Sequence, residues 1–240
     1  MNVRAVIFDV YQTLLAVGPA PADRDARWQE LTRATFGPTA RLGLEDFILA
    51  CDAVIAREHA VSRTAGIRFP EIFWPDVVRE VIPAFGALPA AAQADFLLRQ
   101  KSLLHTVSLM PGADAVLRWL HEREVPAGIA SNAQPYTLLE LARELAPAGI
   151  GLGRFAPDLC FWSFAHGFSK PDPHVFRLLS ARLQARGIAA GDTLMVGDRL
   201  DNDIAPARAQ GWRTWQLGAA SGGETGGDWA ALGAFLARRS

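Results

Sequence analysis

Asp9 is the first residue in the chain whose type and position could do chemistry. It directly follows an apolar run, Ala-Val-Ile-Phe. A carboxylate at the end of a strand can attack an electrophilic phosphorus or carbon atom and form a covalent ester. Aspartates also end strands as turn residues or helix caps, so Asp9 alone does not identify a nucleophile.

Two further segments supply an anion binder and a cation. Ser131 and Asn132 follow the apolar run VPAGIA, where a hydroxyl and an amide beside a helix start can bind an anionic oxygen or simply cap the helix. Lys170 lies in the sequence SKPDP, whose prolines restrict the backbone. Its ammonium could neutralise charge on a transferred group, or it could be a solvent lysine in a proline-rich turn.

The fourth segment, GDRLDND, is the most specific. It begins at Gly197 and contains Asp198, Asp201 and Asp203. Carboxylates this close together are costly unless a cation or a lysine compensates their charge. Mg²⁺ binds through one or two carboxylates plus phosphate, so the pattern favours a Mg²⁺ site over an acidic surface loop.

These segments require a scaffold that brings them together. Apolar strand-like runs at 3–8, 125–130, 158–164, 193–196 and 213–217 alternate with helical patterns. This alternation predicts an α/β fold with a doubly wound, Rossmann-like parallel sheet. In such sheets ligands bind beyond the carboxyl ends of the strands. Asp9, Ser131 and Asp198 each follow a strand-like run directly, which is the strongest functional signal in the sequence.

A helical insertion interrupts this rhythm. From 23 to 105 the apolar residues repeat at helical spacing, and Pro70 and Pro75 are expected at helix starts. We therefore predict a core domain from 1–16 and 107–240 and an α-helical cap domain from 17–106. The segments at 16–21 and 106–111 are the expected hinges, and the glycine-rich stretch 218–227 is expected to be a loop.

Composition narrows the partners. The chain has 24 basic and 25 acidic residues and a net charge of −1, which argues against binding nucleic acid or a membrane surface electrostatically. No apolar stretch is long enough to cross a bilayer, and nothing at the start resembles a secretory signal. We expect a cytoplasmic monomer or homodimer that acts on a small-molecule substrate.

In this order, the four segments resemble the motifs of the haloacid dehalogenase superfamily, and the resemblance covers essentially the whole chain. It includes the helical insertion, which is placed as in the subgroup with α-helical caps. The resemblance implies that Asp9 is the nucleophile and Lys170 the motif lysine, and that Thr13, Ser131 and Asn132 bind substrate. It also implies that Mg²⁺ is held by Asp9, Asp198 and the backbone carbonyl of Tyr11, with Asp203 in support.

Two positions depart from the family's phosphatase pattern. Phosphatases of the family carry an aspartate, acting as general acid and base, where this chain has Tyr11, and loss of such a group typically costs roughly 10²–10⁴ in rate. The family's dehalogenases resemble Asp-x-Tyr-Gly-Thr here, but Gln12 replaces the glycine usual in both branches. The fourth segment has the metal-binding form, which the dehalogenases lack.

Three hypotheses follow. We favour a Mg²⁺-dependent phosphatase that forms a covalent intermediate on Asp9, in which Tyr11 occupies the catalytic position of the missing acid. The first alternative is a metal-free 2-haloacid dehalogenase. The second is a catalytically impaired protein that binds phosphate or a partner. Substrate selection is assigned to the cap, and the following aromatic residues could line a pocket or pack in a core: Phe69, Phe73, Trp74, Phe161, Trp162, His166 and Phe168.

Overall fold

A six-stranded parallel sheet lies at the centre of the computed structural model, which describes residues 3–218 and 225–238. The strands in the described ranges are β1 (Ala5–Phe8), β2 (Leu15–Gly18), β3 (Thr106–Leu109), β4 (Ala127–Ser131), β5 (Phe155–Trp162), β6 (Thr193–Gly197), β7 (Arg213–Leu217) and β8 (Gly226–Gly227). The sheet order is β5-β4-β1-β6-β7-β8, and each neighbouring pair is parallel. The predicted α/β fold is therefore confirmed.

Helices cover both faces of this sheet. The α-helices of the described ranges are α1 (Arg24–Phe36), α2 (Leu44–Thr64), α3 (Trp74–Val81), α4 (Ala90–Lys101), α5 (Ala113–Glu122), α6 (Pro135–Leu145), α7 (Pro173–Ala185), α8 (Ala205–Ala209) and α9 (Trp229–Ala237). In β1, Val6 and Phe8 pack into the core with α5, α6 and α9. Ala5 and Ile7 point the other way, toward α7 and α8. A strand buried on both faces is apolar at every position, as β1 is.

The helices α1 to α4 form an insertion between β2 and β3, which we call the helical insert (residues 19–105). β2 and β3 pair antiparallel, with Leu15 opposite Leu109 and Gly18 opposite Thr106. The insert has its own apolar core around Trp28, Phe47 and Phe96, all fully buried. No helix within the described ranges has the length and apolar character needed to span a membrane.

Several local predictions need correction. Pro75 lies in the first turn of α3 as expected, but Pro70 forms an antiparallel bridge with Phe168 instead of starting a helix. The segments expected to be hinges, 16–21 and 106–111, overlap the paired strands β2 and β3, and hinge motion there stays a prediction. Most of the glycine-rich stretch 218–227 lies outside the described residues.

Candidate active site

Asp9 sits at the edge where β1 and β6 end. Its backbone N–H donates to the carbonyl of Val196 at 2.9 Å, and its side chain is 12% exposed. Gln12, in the turn that follows, has a φ of 57°. This left-handed conformation costs a side chain-bearing residue energy that glycine avoids, which explains in physical terms why glycine suits this position.

Lys170 joins Asp9 to Asp203. Its Nζ donates to Asp9 Oδ1 at 2.7 Å and to Asp203 Oδ1, and its side chain is 1% exposed. Burial alone lowers the pKa of Lys170, but the two carboxylates outweigh burial and raise this pKa above its ordinary value. The lysine is therefore a fixed positive charge beside Asp9.

Asn132 holds the main chain of that lysine. Its Nδ2 donates to the carbonyl oxygen of Lys170 at 2.9 Å, and its Oδ1 accepts from the N–H of Lys170 at 2.7 Å. The geometry thus gives Asn132 a positioning role, since it fixes the point from which the lysine side chain extends. Direct contact of Asn132 with substrate stays a prediction.

Asp203 reaches the site through an irregular helix start. Residues Leu200–Ile204 form a π-helical turn before α8, and this turn returns the Asp203 carboxylate to the end of β6. Its Oδ2 accepts from the N–H of Arg199 at 3.1 Å. A Cβ at Gly197 would lie 2.5 Å from the Asp203 side chain, so only glycine leaves room for this approach.

Asp9, Asp198 and Asp203 form a cluster suited to a divalent cation. One carboxylate oxygen from each lies within 4.8 Å of the others. Three carboxylates and the Lys170 ammonium leave two negative charges, which one Mg²⁺ would balance. Because hydrogen bonds engage both oxygens of Asp203, Asp9 and Asp198 are the better direct ligands.

Burial and the neighbouring carboxylates also raise the pKa values of two acids in this cluster, Asp9 and Asp198. Burial raises the pKa of Asp9 to about 6 against the opposing effect of Lys170, and Asp203 raises it further. Burial and, secondly, Asp203 raise the pKa of Asp198. The third acid of the segment, Asp201, points away: it is exposed and pairs with Arg199. The sequence predicts three clustered acids within one loop. The structure instead brings together two acids of that loop, Asp198 and Asp203, and adds Asp9 from the end of β1.

Two hydroxyls at this edge fit an anionic ligand. Thr13 and Ser131 are fully buried, and within the described residues neither Thr13 Oγ1 nor Ser131 Oγ has a hydrogen-bond partner. Leaving a buried polar group unpaired costs about 1–3 kcal/mol. Oxygens of a bound phosphoryl group would supply the acceptors that these hydroxyls lack.

The Tyr11 hydroxyl forms its hydrogen bonds with side chains of α6. Its hydroxyl donates to Glu140 Oε2 at 2.6 Å and lies 2.9 Å from Thr137 Oγ1. Because its single proton goes to Glu140, Thr137 must donate to Tyr11. Burial and the Glu140 charge raise the pKa of Tyr11. The phenol is therefore badly placed to give a proton to a leaving group, and a catalytic role of this side chain finds no support in its contacts.

Glu140 itself was not predicted from the sequence. It is 1% exposed on α6, and its Oε1 lies 3.1 Å from His105 Nε2, just before β3. The available signal was an acid on the apolar side of an amphipathic helix, where buried charge demands partners. Glu71, Gln134 and Ser163, which bond to one another, were not predicted either.

Of the seven aromatic residues considered for a pocket, three pack on one another. Phe161 is fully buried and stacks on His166 with ring centroids 4.4 Å apart. Phe168 packs against both rings. Trp74 donates through Nε1 to Gln100 at 3.1 Å, while Phe73 is 40% exposed.

The chain is similar in sequence to a family of hydrolases and to individual phosphatases. A family model described as haloacid dehalogenase-like hydrolase matches residues 3–211. A ribulose-1,5-bisphosphate 5-phosphatase of Halopiger xanaduensis is 37% identical over 111 residues, covering 46% of this chain and 43% of that protein. A phosphoserine phosphatase of Thermus thermophilus is 30% identical over 166 residues, covering 68% of this chain and 62% of that protein.

Solved structures share the fold at lower identity. A 2-haloacid dehalogenase from Pseudomonas syringae pv. Tomato superposes with a TM-score of 0.61 at 20% identity, covering 99% of this chain and 100% of that one. At this identity the similarity concerns the fold alone. The chain spans less than two thirds of both curated relatives, at 43% and 62% of their lengths.

Proposed function

This chain belongs to the haloacid dehalogenase-like hydrolases, and we propose that it is a Mg²⁺-dependent phosphatase acting on a phosphomonoester of a small metabolite. The observation that carries this proposal is the carboxylate cluster of Asp9, Asp198 and Asp203 around Lys170. The two curated relatives, both named as phosphatases, support the substrate class.

In the proposed reaction an oxygen of Asp9 attacks phosphorus, and the bond from phosphorus to the alcohol oxygen breaks. The alcohol leaves with a proton from water, because the Tyr11 proton is engaged by Glu140. A second water then attacks phosphorus in the aspartyl phosphate and breaks the bond from phosphorus to the Asp9 oxygen. The hydroxide left by the first water takes the proton released from the second, and phosphate leaves with Asp9 restored. Lys170 neutralises charge near the reacting group, and the Thr13 and Ser131 hydroxyls donate to phosphoryl oxygens.

The metal site would use residues from two loops. Asp9, Asp198 and the backbone carbonyl of Tyr11 would hold Mg²⁺, which when bound offsets negative charge on the phosphoryl group. Asp203 would act in support, since it holds Lys170 and the turn after β6 in place.

We further propose that residues 17–106 act as a cap over a core of residues 1–16 and 107–240. The paired strands β2 and β3 are the sole covalent connections of the helical insert, so bending there would open and close the site. Side chains of the insert would then select the substrate.

Hydrolysis of p-nitrophenyl phosphate with and without Mg²⁺ tests the proposal. We expect turnover that requires Mg²⁺ and disappears in Asp9→Asn, because the nucleophile is lost. Asp25→Asn, which changes an exposed acid on α1, is the matched control and should retain activity. Wild-type turnover that persists in Asp9→Asn would rule out the proposed nucleophile.

The dehalogenase alternative is favoured by one observation, the tyrosine at position 11. Halide leaves without a proton, so that chemistry needs no acid there. It predicts halide release from a 2-chlorinated acid in the presence of a chelator. An impaired binding protein would instead bind Mg²⁺ and phosphate in calorimetry without any turnover.

A further inference from the structure

One loop of the helical insert is bound to the core by polar contacts. The loop covers residues 69–73, between α2 and α3, and Trp74, the first residue of α3, takes part in the same contacts. The N–H of Glu71 donates to the carbonyl of Gly167 at 3.0 Å, and the N–H of Ser169 donates to the carbonyl of Phe69 at 2.9 Å. This short antiparallel pairing joins the insert to the residue that precedes Lys170.

Gln134, at the start of α6, binds the same loop. Its Nε2 donates to the carbonyl of Ile72 at 2.8 Å and to Glu71 Oε1 at 3.1 Å. Its Oε1 accepts from the N–H of Trp74 at 2.8 Å. The insert is thus also joined to the segment that follows Ser131 and Asn132.

The Glu71 carboxylate binds the core segment after β5 as well as Gln134. Its Oε2 accepts from the hydroxyl of Ser163 at 2.6 Å. The Ser163 hydroxyl oxygen in turn accepts from the N–H of Ala133 at 2.8 Å. Burial raises the pKa of Glu71 despite these donors. The carboxylate of this half-buried acid thus accepts from Ser163, from Gln134 and from the N–H of Ile72, and it is costly unless these donors stay together.

We propose that Glu71 is a positioning residue that fastens the helical insert to two core segments, the one that follows Ser131 and the one that precedes Lys170. This fastening maintains the closed arrangement in which substrate is held, so Glu71 acts on substrate binding through those segments. The consequence for catalysis rests on the proposed phosphatase function, whereas the fastening itself does not.

Hydrogen exchange measured by mass spectrometry tests the fastening without any substrate. In Glu71→Ala, we expect peptides covering 69–74 and 163–169 to exchange at least about tenfold faster than in the wild type, since a half-buried carboxylate that accepts several hydrogen bonds is lost. Peptides of β1 and β6 should not change. Glu30→Ala, at an exposed glutamate of α1, should exchange like the wild type. Unchanged exchange in Glu71→Ala would overturn the proposal.

A double-variant cycle tests whether the Glu71–Ser163 contact carries the effect. If it does, Glu71→Ala combined with Ser163→Ala should exchange no faster than the faster single variant, because both remove the same interaction. Effects that multiply would refute direct coupling between the two side chains.

Kinetics test the consequence. Opening the insert reduces the binding-competent fraction, so Glu71→Ala should raise KM for p-nitrophenyl phosphate about tenfold and change kcat less than about threefold. Faster exchange with an unchanged KM would overturn the role in substrate binding. A wild type without turnover would count against the phosphatase function alone, since exchange still reports on the fastening.

Discussion

Asp9 combines burial with a charge that its surroundings only partly compensate. Its folded-state pKa of about 6 lies above its usual 3.8. Between these values the folded protein holds a proton that the unfolded chain has released. The resulting stabilisation is fully present below pH 3.8 and is lost as pH rises through 6.

Asp9→Asn should therefore remove a pH dependence. With a chelator present, the free energy of unfolding of the wild type should fall by about 1–3 kcal/mol relative to Asp9→Asn between pH 4 and 7. Urea denaturation of both proteins across this range measures the difference. A difference that stays constant with pH would contradict the raised pKa.

Tyr11 offers a second test of a single hydroxyl. Tyr11→Phe leaves the buried Glu140 without one of its donors, which should cost about 1–3 kcal/mol of stability. Because the phenol proton is engaged by Glu140, kcat should fall by less than about tenfold, whereas removal of a true general acid costs roughly 10²–10⁴. Urea denaturation and steady-state kinetics give both values. A hundredfold loss in kcat would identify the phenol as the acid.

Some of these residues are predictable from the sequence and others are not, for a physical reason. Asp9, Ser131 and Asp198 were predicted together because parallel strands end at a common edge, and the structure brings Asp9 and Asp198 into one cluster. Glu71 and Glu140 face partners 92 and 129 residues away. No local sequence pattern encodes such contacts, which depend on how distant segments pack in the folded chain.

At the scale of elements, the end of β6 requires a glycine at position 197, because a side chain there would meet Asp203. In Gly197→Ala the new Cβ would lie 2.5 Å from Asp203, so the carboxylate that holds Lys170 must move. We expect a loss of about 1–3 kcal/mol in stability and a fall in kcat. Gly191→Ala is the matched control, because no atom lies within 4 Å of its Cβ. Equal Tm and kcat values in the two variants would contradict this account.

Elements with strong local signals were predicted well. The strand Arg213–Leu217 has the predicted bounds, since it combines a clear apolar pattern with flanking signals. The strands β2 and β3 were not predicted as strands. Each has four residues, and they pair with each other across the whole insert, so neither shows a local pattern that separates it from a loop.

At the scale of the whole molecule, a bound ion should stabilise the fold. Mg²⁺ at about 100 times its Kd should add about 2.7 kcal/mol, which raises Tm by roughly 5–10 °C for a chain of this size. Asp198→Asn should abolish this rise in a thermal-shift measurement. Asp201→Asn, in the same loop but paired outward with Arg199, should keep it. Equal shifts in both variants would place the ion elsewhere.

The pairing of β2 with β3 has a consequence for how such molecules diversify. Because Gly18 and Thr106 are opposite one another, the chain leaves and re-enters the sheet domain at nearly the same point. A short hairpin turn could bridge that gap. The residues between β2 and β3 could therefore be exchanged for another segment without altering the strand ends that carry Asp9 and Asp198. A replacement segment that docks in the same way would still need an acid in contact with Ser163 and Gln134, in the place of Glu71.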